Sequence, residues 1–317
     1  MMNNVKLDVV VPLTIVDLPT FLDNIVYLKS NLPCKRIVVI GNEQVGNKLS
    51  GIKEVVFLNE DTLYPSLSFD NVKSIKRKIS GSDKRTGWYF QQFLKMAYSY
   101  FCQDSYYLIW DSDTIPINKI DFFDKDGKAY LDYRQYEKID ECYNPTQDAL
   151  ICDNFLKKKV HKSFIAEHML INVEIMKCLI KDLITKGTAF KSSFYENILY
   201  SIPLKQINLS GFSEFECYAA YVLKKYPNSY TLRFWRNLRN AKSYVGNKKT
   251  QRNLQWFSHK FDVVSFEDYD SQWLICKLIC FIDKSHAIPF SYIYNIINPI
   301  YQLYYKIRLK VRYLLMK

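Results

Sequence analysis

Tyr106-Tyr107-Leu108-Ile109-Trp110-Asp111-Ser112-Asp113-Thr114 is the stretch on which the reading of this chain turns. Five bulky, mostly β-forming residues run into two carboxylates separated by one small residue. A buried strand ending in Asp-x-Asp sets two oxygen ligands at the rim of a sheet, where open α/β sheets bind their ligands. Two carboxylates this close repel each other unless a cation stands between them. Mg²⁺ or Mn²⁺, held by one or two carboxylates and by the phosphates of a substrate, resolves that repulsion. The motif therefore predicts a metal site serving a phosphorylated substrate. Asp-Ser-Asp is also sound turn chemistry after any strand, which is the competing reading.

Working toward the N-terminus, Leu7 to Pro12 reads as a strand and Val16 to Leu32 repeats its apolar residues at helical spacing. Arg36 to Ile40 and Lys53 to Leu58 read as two further strands. Strand, helix and strand at this spacing predict a parallel, doubly wound sheet. Residues 68–87 read as irregular, with Ser80-Gly81-Ser82 as a hinge, and Gly87 opens a helix running to about Phe101.

Working toward the C-terminus, Ala129 to Tyr133 predicts a short strand, and Val173 to Thr185 and Ser192 to Ser201 predict helices. Ser213 is suited to cap a helix running to Lys225, with Glu216 three residues on completing a capping box. Glu214 is not needed for the cap and is free for chemistry. Lys242 to Arg252 is basic, polar and interrupted by Gly246, and predicts a lid over a diphosphate.

The chain of 317 residues is 48% apolar and 24% charged, which is globular rather than disordered. Its net charge of +12 points to an anionic partner: nucleotide phosphates, lipid headgroups or nucleic acid. The cations are unevenly spread. Lys224 to Lys260 holds ten Lys or Arg and no acid, and Lys306 to Lys317 holds five and no acid. The eight Cys (34, 102, 142, 152, 178, 217, 276 and 280) form no C-x-x-C pair, which argues against a zinc ribbon and for a reducing compartment. The apolar run after Met1 breaks at Asp8 and Pro12, so no signal peptide is expected.

Trp273 to Ile282 is a short apolar stretch broken by Lys277. Ala287 to Tyr305 is uncharged and Tyr-rich, but too polar and too interrupted by Pro289 and Pro299 for a membrane span. Followed by Lys306, Arg308, Lys310 and Arg312, it reads as an interfacial segment. The expected organisation is a domain over 1–270 and a membrane-association or oligomerisation segment over 271–317.

Trp88-x-x-Gln91-Gln92 before Asp111-Ser112-Asp113, then His168-Met169-Leu170, then Ser213-Glu214-Phe215-Glu216, and later a basic stretch with His259, occur in a fixed order. That order resembles GT-A glycosyltransferases, and more narrowly a bacterial group that builds surface polysaccharides (O-antigen, capsule, lipooligosaccharide). The resemblance covers about residues 5–265. It implies an α/β fold with a Rossmann-type nucleotide-binding half, a mixed central sheet flanked by helices, and a C-terminal helical or interfacial appendage.

The resemblance further implies a nucleotide-sugar donor, a glycan or lipid-linked acceptor, and Mn²⁺ or Mg²⁺ at Asp111, Asp113 and His259. Asp111 lies near the ribose or the metal. Pro12, Leu13, Thr14, Trp88, Gln92 and Lys95 are the further donor-side residues, Lys95 placed to touch phosphate, and His168 faces the acceptor. Glu214 is the base of an inverting transfer, with Glu216 in support. Each has a plainer competing reading: for Glu216 its cap, for Trp88 core packing, for His168 a buried and satisfied ring, and for His259 a surface position. The expected setting is cytoplasmic, at the inner face of the plasma membrane, with oligomerisation open and nucleic acid not a partner.

Two other readings compete. Asp111-Ser112-Asp113-Thr114 also fits the D-x-D-x-T signature of haloacid-dehalogenase-type phosphatases, with Asp111 as nucleophile. That motif normally opens its domain, whereas a full βαβ region precedes it here, and Glu267-Asp268-Tyr269-Asp270 is a poor match to the later acidic motif. A nucleic-acid binder without catalysis suits the charge, but no recognised binding motif appears.

Overall fold

A computed structural model describes residues 5–53, 55–135, 162–185, 189, 191–267 and 270–314. In chain order the elements are β1 (Leu7–Pro12), α1 (Leu18–Asn31), β2 (Cys34–Gly41), α2 (Glu43–Leu49), β3 (Val55–Asn59), α3 (Phe69–Ser80), α4 (Thr86–Ala97), β4 (Tyr106–Trp110) and β5 (Thr114–Pro116). Then follow β6 (Ala129–Gln135), β7 (Lys162–Ser163), β8 (His168–Asn172), α5 (Val173–Thr185), α6 (Phe194–Ser201), α7 (Glu214–Lys225) and β9 (Tyr230–Phe234). The chain ends in β10 (Asn237–Leu238), α8 (Ala241–Val245), α9 (Gln251–Ser258), β11 (Val263–Ser265), α10 (Leu274–Ile282) and α11 (Phe290–Leu314). Cys142, Cys152, Asp268 and Tyr269 lie outside the described residues.

The chain divides into two compact units, one of residues 1–112 and 121–235 and one of residues 113–120 and 236–317. Residues 271–314, expected as an appendage, lie in the second unit together with 236–267.

The first unit is built on a mixed five-stranded sheet in the order β3-β2-β1-β4-β8. The first four strands are parallel, and β8 runs antiparallel to β4. This is the α/β class and the mixed central sheet expected from the sequence. All six residues of β1 are buried, and the last five of β2 are too, as befits parallel strands covered on both faces. The one charge in β1, Asp8, is fully buried and meets a fork from Arg36 at 2.8 and 2.9 Å and the Tyr98 hydroxyl at 2.7 Å. A smaller sheet, β7-β6-β9, completes the unit.

Residues 68–87 are not irregular. The Ser68 hydroxyl accepts from the Asn71 amide to start α3, and Gly81, at φ 69°, ends it in the left-handed conformation that glycine adopts without strain. Val72 and Ile75 face inward, and so does Lys76. The helix period is hidden in the sequence because a buried lysine reads as an outer-face residue. Its ammonium donates to the Lys84 carbonyl and to Asn208 Oδ1.

In the second unit β5, β11 and β10 form a three-stranded sheet. Tyr244, Phe261 and Tyr294 pack with Phe290, and so do Trp256 and Phe257. The expected lid over 242–252 is largely helix. Ala241, Ser243, Tyr244 and Val245 are buried in α8, Thr250 caps α9, and Gly246 provides the turn between them at φ 66°. Tyr244 anchors the segment in the aromatic core, so only about the five residues from Gly246 to Thr250 remain as loop. The stretch from Phe290 is likewise one long helix that continues through Pro299. Among the described residues no helix is long and apolar enough to cross a membrane.

Removing one partner of a buried ion pair leaves the other charge uncompensated. Arg36→Ala should therefore lower unfolding stability by about 3 kcal/mol, the low end of the range because the guanidinium is partly exposed. Urea unfolding monitored by circular dichroism checks this, and a loss below about 1 kcal/mol would mean that Tyr98 alone satisfies Asp8.

Candidate active site

The C-terminal end of β4 carries Asp111, and beneath it sits a buried ammonium. Lys95 Nζ lies 2.8 Å from Asp111 Oδ1 and 2.9 Å from Glu214 Oε1. The Lys95 and Glu214 side chains are 4% and 5% exposed, while that of Asp111 is 28% exposed. Lys95 is therefore the floor and Asp111 the open edge. Three elements meet here: α4 supplies Lys95, β4 runs into Asp111, and α7 begins at Glu214. Gln92, one turn before Lys95, accepts the Glu214 amide at 3.0 Å on Oε1 and donates to the Trp88 carbonyl at 3.1 Å.

Burial alone would lower the Lys95 ammonium, but the two carboxylates outweigh it and hold the group above its ordinary value. Burial pushes the Glu214 carboxyl up, against the opposing pull of Lys95, and Asp111 adds to the rise by like-charge repulsion. Desolvation thus outweighs the dipole of the helix start, which by itself favours the ionised carboxylate.

A second network lies on the β8 side. Trp110 pairs with His168 across the β4–β8 ladder, and the Asp111 amide donates to the Glu167 carbonyl at 3.0 Å. His168 Nδ1 is 2.8 Å from the Ala166 carbonyl, and Nε2 is 2.8 Å from Asp132 Oδ2. Each ring nitrogen thus has its own oxygen neighbour. Asp132 also receives Arg233 through Nε at 2.6 Å and Nη2 at 2.8 Å. Burial would raise the Asp132 carboxyl, but the Arg233 fork and His168 outweigh it and hold it below its ordinary value. Trp110, Phe122 and Trp235 surround the imidazole. Glu167 itself is buried at φ 60°, a left-handed backbone rarely held by a non-glycine residue outside functional or tightly constrained sites.

The predicted residues are thus partly brought together. Lys95, Gln92, Asp111 and Glu214 form one cluster, but Lys95, expected to reach phosphate, is buried as the bridge between two carboxylates. His168, expected to face an acceptor, is closed off from solvent with both ring nitrogens engaged. Ser213 caps α7 as expected, while the Glu216 carboxylate receives the Ser163 hydroxyl at 2.7 Å and the Phe164 amide at 2.9 Å. Glu216 therefore also ties the start of α7 to the segment following β7.

Pro12 and Leu13 are buried at the end of β1, where the Leu13 amide donates to the Ile40 carbonyl. Thr14 is exposed beyond them and donates to Asp17. Trp88 is half-buried under the Arg85 guanidinium. Asp113 belongs to the second unit, where its Oδ1 accepts from the Thr114 hydroxyl at 3.2 Å. His259 is exposed at the end of α9. Sequence reading missed Asp132, Arg233 and Glu167. A lone charge in each of two otherwise apolar or aromatic strands, Ala-Tyr-Leu-Asp-Tyr and Tyr-Thr-Leu-Arg-Phe, was the available signal for the first two.

Among the described residues no group of three or more His, Cys, Asp or Glu side chains stands together to hold a metal ion. Asp111 meanwhile commits one oxygen to Lys95. The residues present therefore do not assemble a metal site by themselves.

Lys95→Met should cost about 3–5 kcal/mol of unfolding stability near neutral pH, because it strands two carboxylates. The loss should shrink on acidification. A carboxyl whose folded value lies above its unfolded value loses stability as pH rises between the two, and removing Lys95 widens that gap for Glu214. Urea unfolding at about pH 5 and about pH 7.5 reads the difference. A loss that is equal at both, or larger at the acidic end, contradicts the assignment.

The sequence matches the model of a protein family described as a family of unknown function, DUF6492, over residues 25–286. No curated protein matches it. Among solved structures it is similar to the apo form of mouse xyloside xylosyltransferase 1, at 12% identity and a TM-score of 0.44, covering 83% of this chain and 98% of that one. It is similar to the galactosyltransferase LgtC in complex with donor and acceptor sugar analogs, at 10% identity and a TM-score of 0.40, covering 88% and 96%. It is also similar to the glycosyltransferase GlyE of Streptococcus pneumoniae TIGR4, at 12% identity and a TM-score of 0.39, covering 92% of this chain and 63% of that one. With the family model spanning most of its length, the chain belongs to the DUF6492 family.

Proposed function

We propose that this chain is a nucleotide-sugar-dependent glycosyltransferase that transfers a sugar to a glycan or lipid-linked acceptor in the synthesis of a bacterial surface polysaccharide. The observation that carries this reading is the Asp111–Lys95–Glu214 cluster at the C-terminal end of a central strand, the position where open α/β sheets bind nucleotides. The motif order around it supplies the reaction class. Asp111 is the exposed member and meets the donor; Glu214 is the acid–base residue of an inverting transfer. Its raised value brings it closer to the operating pH that suits a general base. The phosphatase reading gains nothing from the structure, in which a full βαβ region precedes β4 rather than β4 opening the domain.

Mn²⁺ or Mg²⁺ stays in the proposal on sequence grounds alone. Such ions are held by one or two carboxylates together with the substrate's own phosphates, so a preformed cage is not required. The proposed setting is the cytoplasmic face of the plasma membrane, where lipid-linked acceptors are presented.

A thermal-shift screen of nucleotide sugars tests the reading. One nucleotide sugar is expected to stabilise the wild type in the presence of Mn²⁺, and Asp111→Asn to abolish that shift. Stabilisation undiminished by EDTA would remove the metal from the proposal. Failure of every nucleotide sugar to bind, with metal-dependent phosphate release from simple phosphoesters, would replace it with the phosphatase. With the donor identified, Glu214→Gln should lower kcat by about 10²–10⁴-fold while leaving KM for donor within a few-fold.

A further inference from the structure

Half of the chain's exposed large apolar side chains among the described residues lie between Leu274 and Ile307. α10 is Leu-Ile-Cys-Lys-Leu-Ile-Cys-Phe-Ile, apolar at every position but Lys277, and among its residues only Cys276 is buried. Leu274 is 84% exposed, Leu278 57%, Phe281 70% and Ile282 74%. On α11, Phe290, Ile293 and Ile297 turn inward, while Tyr292, Ile296, Ile300, Leu303 and Ile307 are exposed. Their spacing of three or four residues places them on one stripe. The Trp273 ring meets Tyr301 at 5.5 Å and Tyr304 at 5.8 Å, tying the start of α10 to the second half of α11. The loop between the helices is held by Asp283, whose carboxylate accepts the amides of Ala287 and Ile288. This is a braced pair of helices with its apolar stripes uncovered, a concentration that marks an interaction surface rather than scattered surface residues.

Charge selects the occupant. From Lys284 to Lys317 the sequence holds six Lys or Arg and no acid, and the second unit as a whole holds fifteen against six Asp or Glu. A second copy of the chain would bring two cationic faces together. A bilayer with anionic headgroups satisfies the apolar stripes and the cations at once, at roughly 1 kcal/mol per basic residue near the surface. At nine residues α10 is about 14 Å long, too short to cross a bilayer but suited to lie in its interface.

We propose that α10 is the element this chain inserts into an anionic phospholipid surface, with the exposed α11 stripe entering the same apolar boundary and the net positive charge of the unit drawing it to the headgroups. Within the 271–317 segment expected to meet a membrane, the apolar anchor is thus α10 rather than the Tyr-rich run from Ala287 to Tyr305. The inference deepens the membrane-side setting proposed above and rests on that reading only for its purpose, because lipid binding is measured without donor or acceptor.

Co-sedimentation of the full chain with vesicles tests it, comparing phosphatidylcholine alone with phosphatidylcholine plus phosphatidylglycerol. Binding is expected only to the anionic vesicles and should fall with added salt. Leu278→Glu with Phe281→Glu should weaken it by at least about tenfold, since two exposed apolar side chains lose their burial. The double variant should keep the wild-type Tm and any nucleotide-sugar shift. Unchanged vesicle binding by the double variant overturns the proposal. A wild-type dimer in sedimentation velocity that the double variant dissolves, without vesicle binding, overturns it in favour of a second copy. Vesicle binding without any nucleotide-sugar binding leaves the surface standing and refutes the glycosyltransferase reading instead.

Discussion

One ammonium shared by two carboxylates in a nearly dry interior governs the site. Lys95 cannot leave Asp111 or Glu214 without stranding buried charge, so α4, β4 and the start of α7 are held as one piece. The partners lie 16 and 119 residues away along the chain, so the contact joins segments that local structure alone would leave independent. Gln92 reinforces the joint by accepting the first amide of α7, an otherwise orphan donor at a helix start. A single ammonium does not fully neutralise two carboxylates, and the residual negative character falls on Asp111, the member that reaches solvent. Whatever binds at this edge meets a carboxylate already fixed in orientation, which is the condition for a preorganised site.

The other flank of Asp111 is held by backbone. Its amide donates to the carbonyl of Glu167, and that carbonyl is aimed by a left-handed residue between two ordered neighbours. Such a conformation costs about 1–3 kcal/mol for a non-glycine residue and persists only where the surroundings enforce it. The enforcement is visible next door: His168 is pinned by Ala166 and Asp132, and Asp132 by the Arg233 fork. The small sheet that carries Asp132 and Arg233 thereby sets the end of the β4–β8 ladder. The two networks restrain Asp111 from opposite sides, one through its side chain and one through its amide.

The central strands were legible because parallel strands buried on both faces are written as near-continuous apolar runs, as in Val9–Val11 of β1, Ile37–Ile40 of β2 and the whole of β4. Asp111 was legible for the same reason, since it ends one of them. What escaped depends on pairings across long stretches of sequence. Lys76 disguised α3 because its acceptor Asn208 lies 132 residues on, and a buried lysine looks the same as an exposed one in sequence. Lys95 read as a phosphate ligand because Glu214 could not be seen to claim it. Tyr244 read as part of a polar lid because the aromatic core that buries it is assembled largely from residues 256–294. Gly246, read as the glycine break in that lid, does break the backbone, at a positive φ of 66° between α8 and α9.

The same logic explains why α10 was undervalued. Eight apolar residues broken by one lysine look like a short core helix, and in most chains of this size they would be one. Exposure, not composition, separates the two cases, and exposure depends on whether a partner element covers the helix. Here Cys276 alone among its residues is buried, while the inward side of α11 is already taken by the aromatic core. The unit thus fills its interior with rings from α8, α9 and α11 and leaves α10 uncovered. An uncovered apolar helix in a unit of net positive charge carries a solvation cost that water does not relieve. An anionic lipid interface relieves it on both counts, because hydrocarbon meets the leucines while headgroups meet the lysines and arginines.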